Sequence, residues 1–199
     1  RLYFSEVNQP DLVLTNSFIT VAAEHHGGGT ALAVLFDQVV IFKESAIYLL
    51  TPTGATSTWQ VIAIVRGTGC VEAAALANVD NRILFLDERG VFEFDGIAVR
   101  KLSDRIEASI VGALELTRNE FFQAHHDIER KTWLLTYTRT DQTRNDREIV
   151  YHYDVSHPAG GPGPWSIFDR EIGSYGSFHD ADGNLVTVFG ERVGLLSLA

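Results

Sequence analysis

Short apolar runs alternate with polar turns along the whole chain, and the stretch Asp80 to Phe94 shows the unit most plainly. Ile83 to Leu86 is apolar, Asp87-Glu88-Arg89-Gly90 is a turn, and Val91 to Phe94 is the return strand. Gly90 suits a backbone position with positive φ, where it has no Cβ to clash. Asp95-Gly96 then marks a second turn. Similar hairpins follow Asp37, Asp127 and Asp182, so the four aspartates stand 43, 47 and 55 residues apart. Repeats of that length with several strands each are the sequence mark of β-propeller blades.

Each repeat extends towards four strands. In the first these are Leu32–Phe36, Val39–Lys43, Ile47–Thr51 and, after Pro52-Thr53-Gly54, Trp59–Val65. In the second, Glu72–Val79 precedes the hairpin and Ala98–Leu102 follows it. The third uses Glu120–His126, the strand after Asp127, Glu148–Asp154 and Trp165–Phe168. The fourth opens with Gly173–His179 and stops at Ala199 without a last strand. Leu2–Val7 and Phe18–Ala22 read as the last two strands of an earlier blade. An aromatic residue (Phe18, Trp59 or Trp165) opens three of the outermost strands. Val39–Phe42 and Ile83–Leu86 are apolar on both faces, as strands covered by a neighbour on each side should be.

The expected class is therefore all-β: a β-propeller of four-stranded blades forming one region over 1–199. Approximate blades are 1–23 (partial), 31–66, 72–103, 119–169 and 172–199 (incomplete). A chain that starts and stops inside blades reads as a piece of a larger propeller; the alternative is a small ring closed by residues 1–22. Ser103 to Leu114 has helical spacing through Ile106, Ile110, Val111 and Leu114, with Ser103 or Asp104 as cap. It reads as a linker between blades, or as a helical insertion on the propeller face. Arg139–Arg147 is highly charged and Ser156–Pro164 is rich in Gly and Pro; both read as exposed, mobile loops.

Composition narrows the function. Apolar residues make up 45% of the 199, with twelve Phe, six Tyr and three Trp, enough for a sizeable core. No run approaches the ~18 apolar residues of a membrane-spanning helix. A net charge of −10 argues against a surface that grips nucleic acid through its phosphates. The single cysteine, Cys70, excludes an internal disulfide, and its small apolar surroundings suit a buried side chain better than a nucleophile.

Candidate chemistry is thin. His25-His26 and His125-His126-Asp127 contain metal-ligating residue types, but adjacent strand residues face opposite ways and offer one ligand per side. Gly27-Gly28-Gly29 leads into a strand rather than a helix, so it reads as a connection and not a phosphate cradle. Asp87, Glu88, Asp95, Asp180 and Asp182 all fall at turns, where Asp commonly bonds its own backbone. A glycosidase pair would converge only in the fold. Gly54 to Trp59 has a faint likeness to the end of a sialidase Asp-box, without its Asp and without repetition. No catalytic, cofactor-binding or metal-binding residue is assigned, and no cofactor is expected.

A family resemblance adds a function. The segments Val40–Leu50, Gly69-Cys70-Val71, Arg82–Leu86, Gly90–Gly96 and Arg100–Ile106, in this order and spacing, resemble the β-propeller of tailed-bacteriophage tail proteins of the hub, nozzle or stabilisation type. Leu2–Glu6 with Pro10-Asp11, and Gly163–Ser166, fit the same pattern. The likeness covers most of the chain, best over residues 30–106, and departs from it in the long loops of the third repeat. It implies a non-enzymatic virion protein that forms a ring of copies of itself. Its partners would be portal or adaptor proteins and tail fibres or spikes, with DNA passing transiently and unbound. The acidic balance suits a channel that must not trap phosphates. A carbohydrate-binding or glycan-processing propeller is the alternative. A generic scaffold is a third reading, weakened by the absence of Gly-His…Trp-Asp and double-Gly signatures.

Overall fold

Two-residue turns set the register of the hairpins. Asp80 and Asn81 both have positive φ (43° and 39°), as a turn that matches the twist of its flanking strands requires. The computed structural model describes residues 1–6, 8–21, 27–156, 161–191 and 196–198, the last three by backbone alone. Strands β1 (Leu2–Tyr3) and β2 (Phe18–Ile19) pair as sheet I. Sheet II holds β3 (Gly29–Leu35), β4 (Gln38–Lys43), β5 (Ala46–Thr51) and β6 (Gln60–Arg66). Sheet III holds β7 (Leu76–Val79), β8 (Arg82–Asp87), β9 (Gly90–Phe94) and β10 (Val99–Lys101). In sheet IV are β11 (Gln123–Asp127), β12 (Thr132–Tyr137), β13 (Arg147–His152) and β14 (Trp165–Phe168). Sheet V has β15 (Ile172–His179), β16 (Leu185–Glu191) and β17 (Leu196–Leu198). The protein is all-β, and every sheet is an antiparallel meander of strands consecutive in sequence.

The sheets stack face to face in chain order. One face of sheet II gives Leu35, Val40, Phe42, Ile47 and Leu49 to a buried cluster with Ile83, Phe85, Phe92 and Phe94 of sheet III. The opposite face of sheet III gives Leu84, Leu86 and Val91 to a second cluster with Trp133, Leu135, Tyr137, Ile149 and Tyr151 of sheet IV. Sheet I covers part of the remaining face of sheet II, where Leu2 and Ile19 meet Ile41, Tyr48 and Leu50. Strands β8 and β9 are thus covered on both sides, which is why Ile83–Leu86 carries no polar face. Burying one such side chain stabilises by roughly 1.5–3 kcal/mol. The first strands of successive sheets lie side by side, β7 against β11 and β11 against β15. The Asn78 side-chain amide also donates to the Val34 carbonyl, tying β7 to β3 (3.0 Å).

Four expectations differ from the structure. The helix expected over Ser103 to Leu114 is one turn, Glu107–Ile110, after a 3-10 turn at Asp104–Ile106. Val111 is extended and Gly112 has φ 77°, which ends the helix; Ile106, Ile110 and Leu114 still pack on the core, while Val111 is exposed. Ser103 does not cap it, because its hydroxyl accepts from the Val91 amide instead (3.0 Å). The loop Arg139–Arg147 is not wholly exposed: Asn145 is buried and donates to the carbonyls of Phe121 and Ile172. Gly163, within the second loop, is also buried, since a Cβ there would lie 2.0 Å from the His152 carbonyl oxygen. Strands β1 and β2 are shorter than expected; Val7 and Ala22 lie outside the described residues.

The connector between sheets II and III is fixed by one carboxylate. Asp87, 2% exposed, accepts from the Gly69 amide (3.0 Å) and the Arg89 amide (2.9 Å). Arg89 Nε pairs with it at 2.8 Å and its Nη2 also donates to Thr68 (2.8 Å). Gly69 is required where it sits, because a Cβ there would meet the Lys43 carbonyl oxygen at 1.9 Å. Replacing Asp87 by Ala strands a buried amide, so Asp87→Ala should cost about 3 kcal/mol. Chemical denaturation should read this as a lower midpoint with an unchanged slope.

Candidate functional site

Alternation along the strands gives sheet IV two unlike faces. Trp133, Leu135, Tyr137, Ile149 and Tyr151 point to sheet III. Their neighbours His125, Asp127, Thr132, Glu148, His152 and Ser166 stand on the other face, towards sheet V. Leu134 and Val150 stand buried on the same face, so the junction between sheets IV and V mixes polar and apolar groups, where the two preceding junctions are apolar. A cavity of about 350 Å³ opens on this face, lined by Asp127, Arg130, Glu148, His152, Phe168 and Arg170 among others. A second, of about 690 Å³, lies where the connectors run, between Arg118, Phe121, Asn145 and Glu171 on one side and Gly190 and Glu191 on the other.

Glu148 is the centre of the polar junction. It is 2% exposed, and Tyr175 of β15 donates its hydroxyl to Oε1 at 2.8 Å. Arg170 Nη1 lies 3.2 Å from Oε2, an ion pair without the alignment of a hydrogen bond. Burial pushes the Glu148 carboxyl above its ordinary value, opposed by the Tyr175 hydroxyl and the Arg170 charge. Tyr175 is raised well above the usual phenol range, first by burial and then by Glu148. The Arg170 guanidinium lies over the Phe168 ring at 4.4 Å and over Phe189 at 5.7 Å. His125 stacks on Tyr175 (centroids 5.7 Å apart, 17° between planes) and its Nε2 meets Ser177 Oγ at 2.9 Å.

The candidate residues are dispersed. His126 points away from His125, to Tyr153 at 2.8 Å on the sheet III side, as strand alternation requires. His25 and His26 lie outside the described residues. Among the described residues no three His, Cys, Asp or Glu side chains come together as metal ligands. Gly27 has φ 90° and Gly29 opens β3, so the glycine run is a connection into a strand. Asp95 takes the Ile97 and Ala98 amides, and Asp180 takes those of Asp182 and Asn184; both are turn residues, with carboxyls held below the usual range by those bonds. Glu88 and Asp182 are exposed. Cys70 is fully buried, and burial pushes its thiol up to about 12. Gly54–Trp59 forms a short 3-10 turn, with Trp59 packed on Phe4 (5.1 Å).

Asp127 and Glu148 share the cleft face but sit at distant positions of the sheet. The register sets them four residues apart along the strands and two strands apart across them. That separates their backbones by roughly 16 Å. Residue types gave no warning of the Glu148–Tyr175–Arg170 group, because its members come from two sheets and a connector. Among the described residues no helix is long and apolar enough to cross a membrane. No family model and no curated protein matches this chain.

Both histidines of β11 are held below their ordinary value of 6.5, chiefly by burial. The fold therefore favours their neutral rings, and the stability they contribute is present above pH 6.5 and lost as pH falls through the lowered folded values. Urea midpoints should drop between pH 7 and 5. The double variant His125→Gln, His126→Gln should lose part of that drop; an equally steep profile in the variant would refute the assignment.

Proposed function

We propose that the stacked sheets are blades of a β-propeller and that the chain is a structural, non-enzymatic protein of a tailed-bacteriophage tail. What supports the propeller is the arrangement of first strands: β7 lies beside β11, β11 beside β15, and Asn78 of β7 bonds the β3 backbone. Such strands would line the axis of a propeller, with the later strands of each blade fanning outward. Support for the tail role comes from the residue pattern over 30–106 described above. Apolar side chains also stand exposed at the turns, with Phe36 63%, Ile97 83% and Ile128 56% accessible. Turn-borne apolar groups of this kind suit contacts with protein partners better than with a small substrate.

The test is the solution mass of the full-length gene product, followed by negative-stain imaging. A ring of copies with a central channel is expected. A monomer that instead gives a specific glycan-array signal would replace this reading with the carbohydrate-binding one.

A further inference from the structure

The two sides of the stack carry unlike charge. In a four-stranded meander the turns after the first and third strands fall on one side. The turn after the second strand and the connector to the next sheet fall on the other. The first is the turn side and the second the connector side. Sheet I obeys the same rule, because Phe4, just after β1, packs on Trp59, just before β6 (5.1 Å). The loop between β1 and β2 therefore joins the turn side.

Unpaired carboxylates crowd the turn side. Asp11 of sheet I, Asp37 of sheet II, Asp80 and Asp95 of sheet III, and Glu129 and Asp154 of sheet IV are all exposed. Among the described residues none of them takes part in an ion pair. Against them stand Arg130 and Lys131 of a single turn, and Arg130 already lies 3.5 Å from the buried Asp127. On the connector side acids and bases pair instead, Lys101 with Glu107, Arg139 with Asp146 and Arg144 with Glu171. The turns that bear the carboxylates also expose Leu14, Phe36, Ile97, Ile128 and Val155. Neighbouring tips touch: a Cβ on Gly96 would lie 3.6 Å from the Phe36 ring. Sheets II, III and IV each have their four strands, so the pattern does not depend on an unfinished sheet.

A surface of this kind repels phosphates, anionic headgroups and the turn side of a second copy. A partner that brought charge alone would leave the apolar tips wet. We propose that the turn side docks a segment of a partner protein in which lysine or arginine flanks apolar side chains. The bases match the ring of carboxylates, and the apolar groups cover Phe36 and Ile97. The inference rests on the partner-contact reading of the turns given above and adds the chemistry of the partner; it does not need the tail assignment.

The probe is a fluorescein-labelled peptide of alternating lysine and leucine, added to the full-length gene product and read by anisotropy. Lysine–serine and glutamate–leucine peptides serve for comparison. The lysine–leucine peptide should bind about tenfold more tightly than either and lose affinity as salt rises. Asp37→Asn, Asp95→Asn and Glu129→Gln together should weaken it about tenfold. Asparagine at position 95 keeps the acceptor that holds the Ile97 and Ala98 amides. Phe36→Ser with Ile97→Ser should weaken it by a similar factor. On the connector side, the matched set Glu44→Gln, Glu88→Gln and Asp141→Asn should leave affinity within about twofold. Equal losses from the two charge sets, affinity unmoved by Phe36→Ser with Ile97→Ser, or no binding at all overturn the inference. Rings of copies that image normally while the peptide fails to bind overturn it and leave the tail reading standing.

Discussion

A sheet covered on both faces cannot hold a polar side chain without a partner, and sheet III is built inside that constraint. Its two central strands are buried from end to end, and the polar groups they carry are all tied. Glu93 is flanked by Arg82 and Arg100 at 3.2 and 2.7 Å, and Asp87 is held by two amides and Arg89. Leaving either carboxylate unmatched would cost more than a typical surface change can recover. Sheets II and IV can pack on sheet III only because these few polar positions sit at the rims, leaving aromatic and branched side chains to meet in the middle.

The same constraint separates the junctions. Between sheets II and III, and III and IV, continuous apolar layers exclude water. Between IV and V the apolar layer, which keeps Leu134, Val150 and Phe189, is interrupted by a tyrosine–carboxylate bond, an ion pair, stacked rings and open cavities. Nearby charges form a ladder across the connector, with Arg147 and Arg139 reaching Asp169 (3.0 and 3.8 Å) and Arg144 reaching Glu171 (3.2 Å). Exposed pairs of this sort contribute little each. Asn145 fixes the start of β15 more firmly, because its buried side-chain amide donates to the Ile172 carbonyl.

The hairpins were legible in the sequence because their information is local. Apolar alternation, the Asp80-Asn81 turn and Gly90 need no distant partner to act, and the boundaries of β14 fall at Trp165 and Phe168 as read from residues alone. Opposite pointing of His125 and His126 was equally legible, being a property of any strand. What could not be read depends on groups far apart in sequence. Asn145 sits in a run of charges that looks solvated, yet its amide serves a carbonyl 27 residues away. Glu148 finds Tyr175 at the same separation and across two sheets. The helix after Ser103 failed for a local reason: Gly112 adopts a left-handed conformation that the apolar spacing alone does not reveal.

Junctions of unequal make-up imply an order of coming apart. Local opening costs least where few apolar contacts must be broken. Sheet V would therefore peel from the stack first, under heat or under tension, and its amides would exchange with solvent soonest. Sheets II and III share their oily layer along whole strands and would part last. The chain would in that way carry a graded resistance along its length, firm in its first half and yielding towards β15.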